Sequence, residues 1–121
     1  MNAEGVDPGA LFAGQAFALS VVDRVESIVA SIGEATIRTT KSQIAFRRRR
    51  GFAYLWPPVF GNRGVEIVLS IALGRPDASP RFKQVAHPAL HVWMHHLEIR
   101  DLDQLDDEVR AWLREAFDNA S

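Results

Sequence analysis

The 121-residue sequence contains no cysteine, which excludes disulfide bonds, catalytic thiols and metal sites built from thiolates. It also lacks any apolar stretch close to the roughly 20 residues that a membrane-spanning helix needs. The first 14 residues, MNAEGVDPGALFAG, contain no basic side chain and so do not resemble a secretion signal. We therefore predict a cytoplasmic protein with no membrane partner.

Motifs that hold nucleotides or activate nucleophiles are missing as well. The sequence has no GxSxG, no phosphate-binding P-loop and no glycine-rich dinucleotide turn. A glutamate and a histidine that could exchange a proton occur in any small protein, so such pairs carry little weight. We predict no catalytic residue and no cofactor, and the sequence favours a binding protein over an enzyme.

What the sequence does contain is typical of one folded domain. Its 47% apolar and 24% charged residues suit an ordinary globular protein, and a chain of this length has no room for a second core. We predict a single domain over residues 1–121, with 1–7 as a short lead-in. The net charge of −1 argues against a general nucleic-acid binder, which normally carries a clear positive excess.

Helical periodicity marks both ends of the chain. Asp7-Pro8 suits the start of a short helix that bends near Gly14, and a longer helix then runs to about Ile32. Near the C-terminus, Asp103 suits an N-cap, and the acids that follow it suit the positive end of a helix dipole. The apolar residues of this terminal helix recur at helical spacing: Leu105, Val109, Trp112, Leu113 and Ala116.

Between the helices the apolar period changes to two, which predicts strands. The strand segments are EATIRTT, QIAFRR, FAYLWP, VEIVLSIAL (Val65–Leu73) and ALHVWMHHLEIR, with a short edge segment at Arg81–Ala86 whose pattern is ambiguous. The whole pattern predicts an α+β domain: N-terminal helices, an antiparallel β-meander of about five strands, and a C-terminal amphipathic helix packed on one sheet face.

Four consecutive arginines separate two of these strands, in the stretch IAFRRRRGFAYLWPP. A three-residue loop that ends at Gly51, with this glycine in the left-handed region, is a favoured hairpin connection and would pair Arg48 with Phe52. That register puts on one face Ile44, Phe46, Phe52, Tyr54 and Trp56. A two-residue loop would instead put Arg47 beside Tyr54, but it needs an arginine at positive φ.

Charge is unevenly distributed along the chain. Residues 35–65 contain seven basic side chains and no acid, whereas residues 101–121 contain seven acids and two arginines. Either the two regions lie together and offset one another, or each faces a separate partner.

Guanidinium groups bind phosphate or carboxylate through paired hydrogen bonds. We therefore predict a ligand-binding site on the polar side of the sheet, where the acid-free block supplies the cations. Its predicted residues are Arg38, Arg47, Arg48, Arg50, His95 and His96. The alternative for the arginines is that they keep an exposed hairpin soluble and prevent edge pairing.

Four histidines raise the question of a metal site. On a strand, His95 and His96 point to opposite faces, and His91 lies about 13 Å from His95, too far to share an ion. A helix would bring His87, His91 and His95 together, but Pro88 and the β-rich HHLEIR argue against it. We predict no metal ligands, and we expect one of His95 and His96 to be packed on the helix-covered face while the other is exposed.

Several segments together resemble one bacterial family: TKSQIAFRRRRGFAYLWPP, IVLSIAL, SPRFKQV, WMHHLEIR and LDDEVRAWLREAF. They are similar to the family known as domain of unknown function 5655, over roughly Gly33–Asn119, and the arginine block and WMHH are the most specific parts. The family has no established activity, so the resemblance implies a fold and little chemistry. Its members are sometimes joined to nuclease-like or nucleic-acid-associated modules, which favours an anionic ligand. The final strand and acidic helix are distantly similar to frataxin-like iron chaperones.

These observations predict a non-catalytic binding module for an anionic ligand, either a phosphorylated small molecule or a nucleic-acid backbone, bound through the arginine-rich hairpin. One alternative is an iron-chaperone-like, metal-handling protein that uses the acidic C-terminal helix, where Asp101, Asp103, Asp106 and Asp107 could gather a cation, although aspartates at a helix start commonly cap amides instead. Another is a homodimer, with Trp56, Trp93 and Trp112 in the core or at a subunit contact.

Overall fold

The computed structural model describes residues 8–58 and 64–121. Its elements in chain order are α1 (Pro8–Leu11), α2 (Ala16–Ile32), β1 (Thr36–Thr39), β2 (Ile44–Arg47), β3 (Gly51–Trp56), β4 (Ile67–Leu73), β5 (Gln84–Ala89), β6 (Val92–Ile99), a 3₁₀ helix (Leu102–Gln104) and α3 (Asp107–Asn119). The predicted lead-in 1–7, with Asp7 as N-cap, lies outside the described residues. In the part of the chain described, no helix is long and apolar enough to cross a bilayer.

The predicted α+β class and antiparallel sheet are confirmed, with one strand more than expected. The described strands form one six-stranded sheet in the order β1-β2-β3-β4-β6-β5. All neighbours run antiparallel. The predicted final strand is β6, which begins at Val92 after a turn at Leu90 and His91, and the ambiguous edge segment predicted at Arg81–Ala86 overlaps the edge strand β5. The chain order is not a simple meander at this edge, because β6 lies between β4 and β5.

Both long helices pack on one face of the sheet, which we call the covered face. Helix α2 buries its valines and Ile28 there, and α3 buries Val109, Leu113 and Ala116. Every second residue of β4 meets them, since Ile67, Leu69, Ile71 and Leu73 all belong to the core and are fully buried. This is the burial expected where alternate strand residues face a helical layer. The opposite face we call the open face.

Helix α3 begins later than predicted. Asp106, rather than Asp103, is its N-cap, and the Asp106 side chain accepts a hydrogen bond from Val109 N at 3.1 Å. Asp103 instead lies within the preceding 3₁₀ helix, whose own N-cap, Asp101, accepts from Asp103 N at 2.8 Å. The acidic run therefore caps two successive helical starts.

The hairpin between β2 and β3 adopts a different register from the predicted one. Arg47 pairs with Gly51, and Ile44 pairs with Leu55, so the predicted pairing of Arg48 with Phe52 is wrong. Gly51 is also not in the left-handed region; in the described residues only Gly14 and Gly64 have positive φ. The loop consists of three arginines, closed by a hydrogen bond from Arg48 N to Arg50 O at 3.0 Å.

A β-bulge explains the change. Phe46 pairs with Ala53 and the next pair skips Phe52, so Phe52 is the extra residue of β3. The bulge turns Phe52 to the covered face, where it is 1% exposed and its ring lies edge-on to Phe117 at 5.6 Å. Burial of this ring, together with Phe46 and Ala53, decides the register.

Candidate ligand-binding site

One row of paired residues crosses the open face through all six strands. The register places in this row Arg38, Ala45, Tyr54, Ser70, His96 and Gln84, in order from β1 to β5. Residues paired across antiparallel strands point to the same face. Arg47 lies two residues beyond Ala45 on β2, so it is a diagonal neighbour of Arg38 on the open face.

The six predicted site residues are divided among three places. Arg38, Arg47 and His96 lie on the open face. Arg48 and Arg50 lie at the C-terminal end of α3. His95 lies on the covered face, and it is fully buried.

Arg48 and Arg50 bind the end of helix α3. Arg48 Nη1 donates to Phe117 O at 2.9 Å, and its guanidinium lies 4.0 Å from the centre of the Phe117 ring. Arg50 Nη2 donates to Asn119 O at 2.5 Å, and the backbone of Arg49 donates to Ala120 O. The last carbonyls of a helix have no partner within it and carry partial negative charge. These contacts therefore cap and stabilise α3.

Arg38 and Arg47 have no such partner. Both are exposed, and within residues 8–58 and 64–121 neither side chain makes a hydrogen bond or an ion pair. Among the described residues no carboxylate of α3 or of its N-cap pairs with them, and Glu115 pairs with Arg75 while Asp106 and Glu108 pair with Arg81. The basic block thus donates hydrogen bonds to the carbonyls of α3, while these three acids bind arginines from another part of the chain.

A depression of about 350 Å³ lies on the open face, and neither of these arginines lines it. Its walls are Gln43, Tyr54, Trp56, Ser70, Met94 and His96. The depression arises because Ala45, Ser70 and Ala72 are small and buried, whereas Tyr54 and Met94 on the flanking strands are large and only half-buried. Sites for small molecules commonly combine such apolar walls with a few polar groups.

A chain of hydrogen bonds holds one wall of the depression. Trp56 Nε1 donates to Ser70 Oγ at 2.7 Å, and Ser70 Oγ lies 2.6 Å from His96 Nδ1. The indole can only donate, whereas Ser70 Oγ can donate its proton to His96 Nδ1 or accept one from it, according to the tautomer of the imidazole.

Burial lowers the pKa of His96 below its usual value, and the neighbouring His95 lowers it further. His96 is therefore neutral near pH 7. No buried side-chain nitrogen or oxygen lacks a partner in the described part of the chain, and Nε2 has none, so Nε2 is accessible. It offers one hydrogen-bonding group, which donates in one tautomer and accepts in the other.

Tyr54 occupies a fixed position between the arginines and the histidine. Its hydroxyl lies where a Cβ of residue 51 would be, so the ring can lie along β3 only because that residue is glycine. Gly51 is also the partner of Arg47. The phenol therefore lies beside Arg47 at one end of the depression.

His95 has a structural role on the other face. Its Nε2 accepts from Asp77 N at 3.0 Å, and its Nδ1 donates to Trp93 O at 2.9 Å. The Phe82 ring lies edge-on to it at 4.7 Å. The Ser79 amide lowers the pKa of Asp77, with help from Arg75 and Trp112. The expectation that one histidine of the pair is packed under the helices is confirmed, and it is His95.

The sequence prediction missed the residues that line the depression with His96. Trp56, expected in the core or at a subunit contact, is half-buried in a wall of the depression. Strand parity correctly indicates that Tyr54 and Trp56 share a face. The prediction that they share it with Ile44, Phe46 and Phe52 is wrong, because these three residues are buried on the covered face. Parity alone gives no cross-strand neighbours, so Ser70 and Gln43 could not be connected to them.

Oxygen and nitrogen ligands for a metal are not gathered in the described residues. No group of three His, Asp or Glu side chains there could hold an ion. Asp101 and Asp106 are used as helix caps, and Glu108 binds Arg81 at 2.8 Å.

Comparisons of the chain with curated proteins and with solved structures gave no match. A family model matches residues 9–120, which covers nearly the whole chain and includes α2 as well as the sheet and α3. The predicted resemblance to this family is thereby confirmed, over a longer stretch than expected. The chain belongs to the family described as Domain of unknown function (DUF5655).

Proposed function

We propose that the protein is a non-catalytic binding module that holds an anionic ligand on the open face of its sheet. The observation that carries this proposal is the pair Arg38 and Arg47. They share one face, and within the described residues neither has a carboxylate partner. We take the protein to be bacterial and cytoplasmic, as the sequence predicts.

The spacing of the two arginines suits a phosphoryl group. Diagonal neighbours on adjacent strands lie about 7–8 Å apart, so two long side chains can converge on one anion. Each guanidinium offers paired N–H donors that fit phosphate oxygens. The proposed anion site therefore uses Arg47 from the arginine-rich hairpin and Arg38 from the strand beside it.

The surroundings support binding without a reaction. Ser70 and His96 form a hydroxyl–imidazole pair, but Ser70 is only 2% exposed and its oxygen already accepts the indole N–H. A nucleophile must reach its substrate, and this hydroxyl is covered. We interpret the pair as a support for the wall of the depression.

Titration with inorganic pyrophosphate at low ionic strength, followed by calorimetry, tests the proposal. We expect the double variant R38A/R47A to lose at least ten-fold in affinity, and added salt to weaken binding because exposed charges are screened. The matched control is R24A/R114A, which removes two exposed helical arginines that have no side-chain partner among the described residues. It should bind like the natural protein.

A second control separates ligand binding from folding. R48A removes the bond to Phe117 O and should lower stability by about 1–2 kcal/mol while leaving pyrophosphate affinity within two-fold. Equal affinity of R38A/R47A and the natural protein would refute the proposal, as would the absence of pyrophosphate binding at low salt.

A further inference from the structure

The depression on the open face has the features of a site for a flat ring. Tyr54 and Trp56 provide aromatic surface and Met94 provides a polarisable thioether, all half-buried at its rim. Aromatic side chains and Met both pack favourably against flat rings. Its volume of about 350 Å³ lies in the range of small-molecule sites.

The polar groups in the depression call for a ring with hydrogen-bonding edges. His96 presents its Nε2, which needs a hydrogen-bond partner. The Gln43 side-chain amide makes no hydrogen bond to a described residue, and it offers both a donor and an acceptor. A purely hydrocarbon ring would leave these groups unpaired, which costs free energy when water is displaced. A nitrogen heterocycle that has both acceptors and donors on its edge would satisfy them.

The wall that meets the ring is preorganised. Trp56 and His96 are perpendicular, with centres 5.9 Å apart, and Ser70 binds both. Tyr54 is located by the space over Gly51. Side chains already held in place lose little entropy on binding, which increases affinity.

The distance between the depression and the arginines suits a sugar phosphate. Adjacent strands are about 4.8 Å apart, so the backbones of Arg38 and Ser70, three strands apart, are separated by about 14 Å. An extended arginine side chain covers part of this distance from one side. A ring bound over Ser70 with a phosphorylated sugar attached covers the rest, and Tyr54 lies between them.

We infer that the depression binds the heterocyclic base of a mononucleotide whose phosphate lies on Arg38 and Arg47. This inference rests on the proposed anion site and names its ligand class. The base packs on Tyr54 and Trp56, and Gln43 and His96 bind its edge. Recognition of the base and recognition of the phosphate then belong to separate sets of side chains.

NMR titration of the natural protein separates the two sets. The probes are AMP, GMP, CMP and UMP, with ribose 5-phosphate and the four nucleosides as partial ligands. We expect at least one mononucleotide to shift both the Trp56 indole N–H and the amides of Arg38 and Arg47. Ribose 5-phosphate should shift only the arginine amides, and the matching nucleoside should shift only the indole signal, with lower affinity.

Substitutions give a second measurement. Q43A and H96Q should each weaken the mononucleotide at least five-fold and leave ribose 5-phosphate unchanged. Q84A, an exposed glutamine on the same row at the far edge, is the matched control and should change neither. R38A/R47A should weaken both phosphorylated probes and leave the nucleoside unchanged.

Failure of the inference is distinguishable from failure of the proposed function. If every mononucleotide and ribose 5-phosphate bind equally well and the Trp56 signal never moves, the base site is refuted while the anion site stands. If no phosphorylated probe moves the arginine amides, both are refuted. Tight binding of an eight-residue oligothymidylate without any mononucleotide binding would refute the inference in favour of a polymer ligand.

Discussion

The covered and open faces of the sheet differ most clearly at two adjacent histidines. His95, under the helices, has both ring nitrogens bound to backbone groups of the protein. His96, on the open face, has one nitrogen bound to Ser70 and the other accessible. The same residue type is thus structural on one face and available for a ligand on the other.

The comparison extends to the arginines. Arg48 and Arg50 satisfy the carbonyls at the end of α3, so their charges are used within the fold. Arg38 and Arg47 lie on the open face without such partners in the described residues. A buried polar group without a hydrogen-bond partner destabilises the fold, whereas a polar group on an open surface is solvated and can bind a ligand. Pairing therefore distinguishes structural from candidate functional residues better than residue type does.

The largest expected contrast comes from truncating one apolar side chain on each face of β6. L97A should destabilise the protein by about 3–4 kcal/mol, because Leu97 is fully packed in the core and the cavity would not collapse completely. M94A should cost about 1 kcal/mol, because Met94 is already half-exposed at the rim of the depression. Urea unfolding followed by circular dichroism measures both.

Equal losses for the two variants would contradict the distinction between the faces. Unfolding slopes should stay the same for both variants, which checks that stability alone has changed.

The two histidines should differ by a smaller amount. H95A leaves Asp77 N and Trp93 O without their partner in the interior, and we expect a loss of about 2–3 kcal/mol. H96A should lose about 1 kcal/mol, because removing the imidazole that covers Ser70 lets water from the depression bind its hydroxyl. Thermal unfolding at pH 7.5 measures the loss of stability for both variants. A larger loss for H96A than for H95A would contradict the difference between the two faces.

The smallest expected effect is a dependence of stability on pH. In the folded protein the pKa of His96 lies below its ordinary value of about 6.5. At a pH between the folded-state pKa and this ordinary value, the unfolded chain therefore binds more protons than the folded one. The stability due to His96 is complete above about pH 6.5 and is lost as pH falls through the folded-state pKa. Unfolding free energies at pH 7.5, 6.5 and 5.5 measure the loss.

The H96Q variant provides the comparison, since glutamine does not titrate. The natural protein should lose more stability than H96Q over this range. Parallel curves would mean that His96 is solvated like a free histidine.

Local patterns in the sequence were sufficient for much of the fold. The 3.6-residue period identified α2 and α3, and alternation identified the segments of β1 to β4 and β6. Parity also placed His95 and His96 on opposite faces. Each of these predictions depends on residues close together in the chain, where backbone geometry alone relates side-chain directions.

The candidate site was predicted only in part, because its residues are far apart in the chain. Its residues come from β1, β2, β3, β4 and β6, and their proximity depends on cross-strand register. The bulge at Phe52 shifted that register by a residue, because burial of an aromatic ring against α3 outweighed the favoured glycine turn. A local rule for hairpins cannot include a contact with a helix 65 residues away.

The sequence by itself determined the fold class, the family and the presence of an acid-free basic block, since these follow from composition and local periodicity. Only the tertiary structure decided which arginines bind other parts of the protein and which remain exposed. Arg48 and Arg50 meet the end of α3, and Arg38 and Arg47 share the open face with His96, because pairing of distant strands and packing of the last helix determine which charges find partners inside the protein.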